Sequence, residues 1–136
     1  MTTIYRVTVD IRAPVKDTEL RRRVETAVTN LFPNAEPVVE KDELTATVHD
    51  LEHFSTCLHR QEILDTARSE FFGGQGGNRF HFSLKKAAAF EGRVNFAVGE
   101  TDELGEIDVT VQVDEPTVDA YIDHVAPETE DGKPVE

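Results

Sequence analysis

Apolar and polar residues alternate from Ile4 to Arg12. Tyr5, Val7, Val9 and Ile11 point one way and Arg6, Thr8, Asp10 and Arg12 the other, the period-two pattern of a half-buried strand. After Ala13-Pro14 the period changes. Leu20, Val24, Ala27, Val28 and Leu31 recur at helical spacing, with Asp17 or Thr18 as the cap and Glu19 in the first turn. Phe32-Pro33-Asn34 stops that helix. Residues 37–40 and 44–49 predict two short strands around Lys41-Asp42-Glu43. Asp50 can cap a long helix over roughly residues 51–72, and the glycine-rich stretch 73–77 predicts a loop.

Phe80, Phe82 and Leu84 then alternate with His81, Ser83 and Lys85, giving another strand with its phenylalanines in the core. Residues 87–92 predict a turn or short helical piece, and residues 94–98 a candidate strand. Ile107, Val109, Val111 and Val113 mark the clearest late strand, over residues 104–113. Pro116 suits the first turn of a short helix reaching about residue 125. The order is β-α-β-β-α-β-(β)-β-α. It predicts an α+β domain over residues 1–126, a single mixed or antiparallel sheet with helices packed on one face. Residues 127–136 predict a flexible acidic tail.

Charge changes this picture unevenly. The chain of 136 residues has a formal net charge of −13. Residues 94–136 hold thirteen Asp/Glu and a single Lys, so the first 93 residues are close to neutral. An acidic protein repels polyanions, but a near-neutral body with local cations can still face RNA while the acidic end points away. An acidic, hydrated surface also suits solubility at high salt. The one cysteine, Cys57, excludes an internal disulfide and fits a reducing compartment. No run reaches the ~18 apolar residues of a membrane span, and the N-terminus shows no signal-peptide pattern. These features predict a cytoplasmic protein with no membrane partner.

Candidate chemistry lies in four places. On the long helix, Leu51, Phe54 and Leu58 share one face, whereas Ile63, Leu64, Ala67 and Phe71 share another, so the apolar stripe swings around the axis. Gln61, Asp65 and Arg68 continue the first face at i, i+4 and i+7. They read as a solvated or salt-bridged face, a polar contact with a ligand or second copy, or an enzyme site built on Asp65. His49, His53 and Cys57 follow at i, i+4 and i+8 with His59 nearby, but the spacing matches no standard zinc motif, so no metal is expected. Arg21, Arg22 and Arg23 on the first helix can bind phosphates or pair with Glu19 and Glu25. Around residues 78–95, Arg79, Lys85, Lys86 and Arg93 oppose only Glu91 among interleaved phenylalanines, a combination suited to single-stranded RNA. The cations and Asn95 are the candidate contacts there. No nucleophile–base pair, cofactor fingerprint or phosphate-cradling loop is present.

Three segments carry a resemblance: Arg60-Gln61-Glu62-Ile63-Leu64-Asp65-Thr66-Ala67-Arg68, Phe82-Ser83-Leu84-Lys85-Lys86-Ala87-Ala88-Ala89-Phe90, and Gly92-Arg93-Val94-Asn95-Phe96. They resemble a small archaeal family of uncharacterised proteins described as predicted RNA-binding and exosome-associated. The resemblance spans roughly residues 4–113, and the acidic surface resembles haloarchaeal members. It implies a fold similar to the large-subunit ribosomal protein that binds 5S ribosomal RNA. Glu91 departs from a continuous phosphate track.

The leading expectation is a non-enzymatic RNA-binding accessory protein, with ribosomal RNA or an exosome substrate as partner and no cofactor. Arg60, Arg68, Arg79, Lys85, Lys86 and Arg93, with Arg21 and Arg22, would grip the backbone. Gln61 and Asn95 would hydrogen-bond bases or ribose. The alternative is a protein–protein module, a homodimer or assembly subunit, motivated by the two-faced helix. A small hydrolase or metal-site enzyme stands third.

Overall fold

The computed structural model describes residues 4–98, 104–130 and 133–134. The chain runs β1 (Arg6–Pro14), α1 (Arg21–Leu31), β2 (Val38–Glu40), β3 (Glu43–Val48), α2 (Glu52–Gln61), α3 (Leu64–Gly73), β4 (Gln75–Gly76), β5 (Arg79–Lys85), α4 (Lys86–Phe90), β6 (Glu106–Glu115) and α5 (Val118–Val125). Six of the strands form one antiparallel sheet in the order β2-β3-β1-β6-β5-β4. The α+β architecture with one helix-covered sheet face is therefore as the periodicity predicts.

Alternation decides which face is covered. Val7, Val9 and Ile11 of β1, Leu44 and Val48 of β3, Phe80, Phe82 and Leu84 of β5, and Ile107 to Val113 of β6 all point into the core. Each fully buried side chain of this kind stabilises the fold by about 1.5–3 kcal/mol. Helices lie against this face. Phe54 of α2 and Phe71 of α3 meet Phe82 at ring separations of 5.3 and 4.9 Å, so the β5 phenylalanines are core residues. The opposite face carries no helix. Its central rows are Thr47-Asp10-Thr110-His81 and Thr45-Arg12-Asp108-Ser83, paired across the sheet.

The long helix expected over residues 51–72 is two helices. Glu62 adopts a left-handed φ of 58°. The Glu62 N–H donates to His59 O and the Ile63 N–H to Leu58 O, a Schellman end to α2. The swing in the apolar stripe is the signature of this break. Leu51, Phe54 and Leu58 of the first stripe and Leu64, Ala67 and Phe71 of the second are buried within the domain, and Ile63 is half-buried against the core. The two-faced helix therefore gives no reason for a second copy of the chain.

Other expectations shift in detail. No side chain caps α1: Leu20 holds the cap position, and Glu19 instead accepts the Lys16 N–H. Asp50 does accept the Glu52 N–H at the start of α2, and Thr117 accepts the Ala120 N–H at the start of α5. The glycine stretch closes a hairpin through β4. Gly74 lies so close to β5 that a Cβ there would meet His81 O at 2.1 Å. Residues 94–98 form no ladder and make only the Leu84–Phe96 bridge. In the acidic tail, β7 (Thr129–Glu130) pairs with β8 (Lys133–Pro134), and residues 131–132 and 135–136 lie outside the described residues.

Candidate nucleic-acid interface

The expected RNA contacts do not form one surface. Three of them hold the fold together. Lys86 is only 9% exposed, and its ammonium donates to Glu19 Oε1 at 2.8 Å, to Leu104 O at 2.6 Å and to Pro14 O. An ammonium has three donors, and all three are used. Gln61 clamps the backbone of Val94: its Nε2 donates to Val94 O at 2.9 Å, and its Oε1 accepts the Val94 N–H at 2.7 Å. Arg68 joins α3 to the end of α5. It pairs with Asp123 at 2.5 Å and Glu128 at 3.3 Å, donates to Ala126 O and lies over the Phe72 ring. Arg68 thus keeps its salt-bridged reading, whereas the solvated reading of Gln61 and the phosphate reading of Lys86 are corrected. Lys86 follows Phe80, Phe82 and Leu84 on the inward parity of β5, so alternation itself turns its side chain toward the core.

Asp65 is exposed and accepts the Thr129 hydroxyl. The three imidazoles near Cys57 go to separate partners: Val7 O for His49, the Cys57 sulfur for His53 and Ser55 O for His59. Burial, opposed by Arg60, pushes the Cys57 thiol above its ordinary range. A protonated, buried thiol is a poor nucleophile and metal ligand.

Arg79 and Lys85 stand on the helix-free sheet face at the two ends of β5, about 20 Å apart at the ordinary rise per residue. That face is acidic at its centre. Asp10 and Asp108 lie in adjacent rows, Ser83 donates to Asp108 at 2.7 Å, Arg12 pairs with Glu43, and Lys85 sits opposite Glu106. A phosphate track across it would meet repulsion midway.

A different surface carries a cation over an exposed ring. Phe90, at the end of α4, is 41% exposed. The Arg23 guanidinium lies over its ring at 5.4 Å. Asn30 of α1 donates to Ala89 O at 3.1 Å and Phe90 O at 2.9 Å, holding the two helices together. Gly92, at φ 78°, completes a Schellman turn in which the Arg93 N–H donates to Ala88 O. That turn leaves the Arg93 side chain exposed. Gln61 draws the end of α2 onto Val94, so Arg60 and Arg93 each stand one residue from the clamp. Arg22, Arg60 and Arg93 form no ion pair among the described residues, whereas Arg21 pairs with Glu25. Asn95 is exposed beside this group.

Sequence reasoning finds Arg22, Arg60, Arg93 and Asn95 but misses the Arg23–Phe90 stack and the Asn30 clamp. These depend on α1 packing against α4, some sixty positions away. The one available signal is Phe90 closing an alanine run that has too few large side chains to bury it.

No family model matches the chain. It is 37% identical over 130 residues to a UPF0200/UPF0201 protein of Archaeoglobus fulgidus, and covers 95% of this chain but 40% of that longer protein. It is 38% identical over 138 residues to a UPF0201 protein of Methanopyrus kandleri, covering 89% of this chain and 85% of the relative. The crystal structure of the UPF0201 protein from Methanococcus jannaschii superposes with a TM-score of 0.89 at 35% identity, over 95% of this chain and 99% of that one. On this similarity, shared along nearly its whole length, the chain belongs to the archaeal UPF0201 family, whose members are uncharacterised.

Proposed function

We propose that this UPF0201 chain is a non-enzymatic RNA-binding accessory protein acting in RNA processing or at the ribosome. The observation that carries the reading is the exposed Phe90 ring under the Arg23 guanidinium; Arg22, Arg60 and Arg93 are exposed and none of them pairs with an acid among the described residues. Guanidinium groups suit phosphates, and rings with stacked cations suit unpaired bases. Arg79 and Lys85 are peripheral in this reading, because the acids between them oppose a strand. No helix among the described residues is long and apolar enough to cross a membrane. The single buried thiol suits a reducing cytoplasm.

The test is a titration of single-stranded and structured RNA by fluorescence anisotropy at low and high KCl. Four phosphate contacts at about 0.7 each give a log–log salt slope of about −3 for a single strand. Absence of binding to either RNA class at both salts ends the proposal.

A second reading, a protein–protein module, is favoured by the Archaeoglobus fulgidus relative, in which the region like this chain is 40% of a UPF0200/UPF0201 protein. Units joined in one polypeptide work side by side, so a separate UPF0200 protein is the partner this reading names. Mixing the two purified proteins and measuring the mass by light scattering tests it. Two separate masses, with no complex, count against it.

A further inference from the structure

The surface beside the Arg23–Phe90 stack is not flat. A groove of about 550 Å³ runs between α1 and α4, within the usual range of ~300–1,000 Å³ for small-ligand sites. Leu20, Phe90 and Leu104 line it and are 52%, 41% and 37% exposed. Most of the other large apolar side chains are buried in the core, so three exposed ones around a single depression form a recognition feature rather than scattered surface.

The charges around the groove are arranged in layers. At its floor, Lys86 is saturated by Glu19, Leu104 O and Pro14 O, leaving no ammonium donor for a phosphate. Its walls are aliphatic, and one side is the Phe90 ring with the Arg23 plane above it. Glu91 contributes an exposed carboxylate to the lining. Outside, Arg22 and Arg93 are exposed cations. An apolar interior with a carboxylate acceptor, set beside arginines, complements a nucleotide: base inside, phosphates outside. A phosphate in the interior would meet the Glu91 carboxylate, and of the two cations lining the groove Lys86 is engaged by Glu19 while Arg23 lies over the Phe90 ring.

We infer that the α1–α4 groove takes one unstacked base of a single-stranded RNA, held against Phe90 and Arg23 with its exocyclic amino group directed to Glu91. The inference rests on the RNA-binding reading above and deepens it, because it separates a base site from the phosphate contacts. Adenine, cytosine and guanine carry an amino group on the base edge and uracil does not, so the groove discriminates against uracil.

The test uses the full chain and labelled RNA octamers: oligo(A), oligo(U), and oligo(A) with one abasic position moved along the strand. One abasic position weakens binding about tenfold, as expected for the loss of one stacked base. Phe90→Ala weakens oligo(A) by a similar factor and removes the abasic penalty. Leu20→Ser, at a more exposed position, repeats the effect with the thermal midpoint as folding control. Glu91→Gln narrows the preference for oligo(A) over oligo(U). Tight binding of every octamer, indifferent to abasic position and to all three groove variants, overturns the base site and leaves the RNA reading intact. No binding of any octamer removes both. A dimer in light scattering that Leu20→Ser dissolves assigns the groove to a second copy and also overturns the inference.

Discussion

Lys86 distinguishes a fold-holding cation from an RNA-holding one. Its ammonium ties together three chain segments at the mouth of the sheet: the end of β1 at Pro14, the approach to α1 at Glu19 and the approach to β6 at Leu104. The side chains of the Lys86–Glu19 pair are 9% and 11% exposed, so solvent screens the pair weakly. Lys86→Ala removes the ammonium from the Glu19 carboxylate and from two carbonyls. Breaking a buried pair from one side costs ~3–5 kcal/mol, against a total stability of ~5–15 kcal/mol for a domain. Taking the lower figure, the thermal midpoint falls by about 10 °C for a chain of this size. Urea denaturation followed by circular dichroism measures the loss directly. In a double-mutant cycle, Glu19→Gln costs much less once Lys86 is absent, with a coupling of about 1–3 kcal/mol. If Lys86→Ala unfolds at the wild-type denaturant midpoint but loses RNA affinity, the reasoning is wrong and Lys86 is a surface contact.

Three further changes separate structure from binding. Gln61→Ala removes both hydrogen bonds to Val94, whose residue is nearly buried; it costs about 1–3 kcal/mol in denaturation and leaves the salt slope of RNA binding unchanged. Glu62→Gly relieves a left-handed φ of 58° at the end of α2, and the unfolding midpoint rises by an amount equivalent to about 0.5–1 kcal/mol. Burial raises the Tyr121 phenol above its ordinary value of 10.0, more than the Leu51 amide donating to its oxygen lowers it. The unfolded chain ionises this phenol first, so its contribution is intact below pH 10 and is lost as pH climbs toward the raised value. Tyr121→Phe is therefore less stable at pH 7 but shows a flatter decline in alkaline denaturation curves.

The strands and the covered face were legible because period-two alternation directly reports a sheet with one wet side. Val7-Val9-Ile11 and Phe80-Phe82-Leu84 are examples, and both face the core. The break at Glu62 was visible only as an unexplained swing of the apolar stripe, since glutamate carries no signal for a left-handed turn. Side-chain roles were less legible. Gln61, Arg68 and Lys86 are polar residues in cation-rich segments, yet each meets a backbone or acid from a distant part of the chain. Leu20 shows the opposite error: helical spacing assigns it to the core, but it opens onto the α1–α4 groove. Such roles follow from how helices cross, which no local pattern encodes.

The central claim is that RNA docks on the α1–α4 side and not on the open sheet. Ultraviolet crosslinking of a single-stranded RNA to the wild-type chain, with the modified peptides read by mass spectrometry, tests this most directly. The account predicts adducts at Phe90 and its neighbours through Asn95, with none on the face bearing His81 and Asp108. Adducts confined to β5 and β6, or no adducts at an RNA concentration that saturates a positive control, would contradict it.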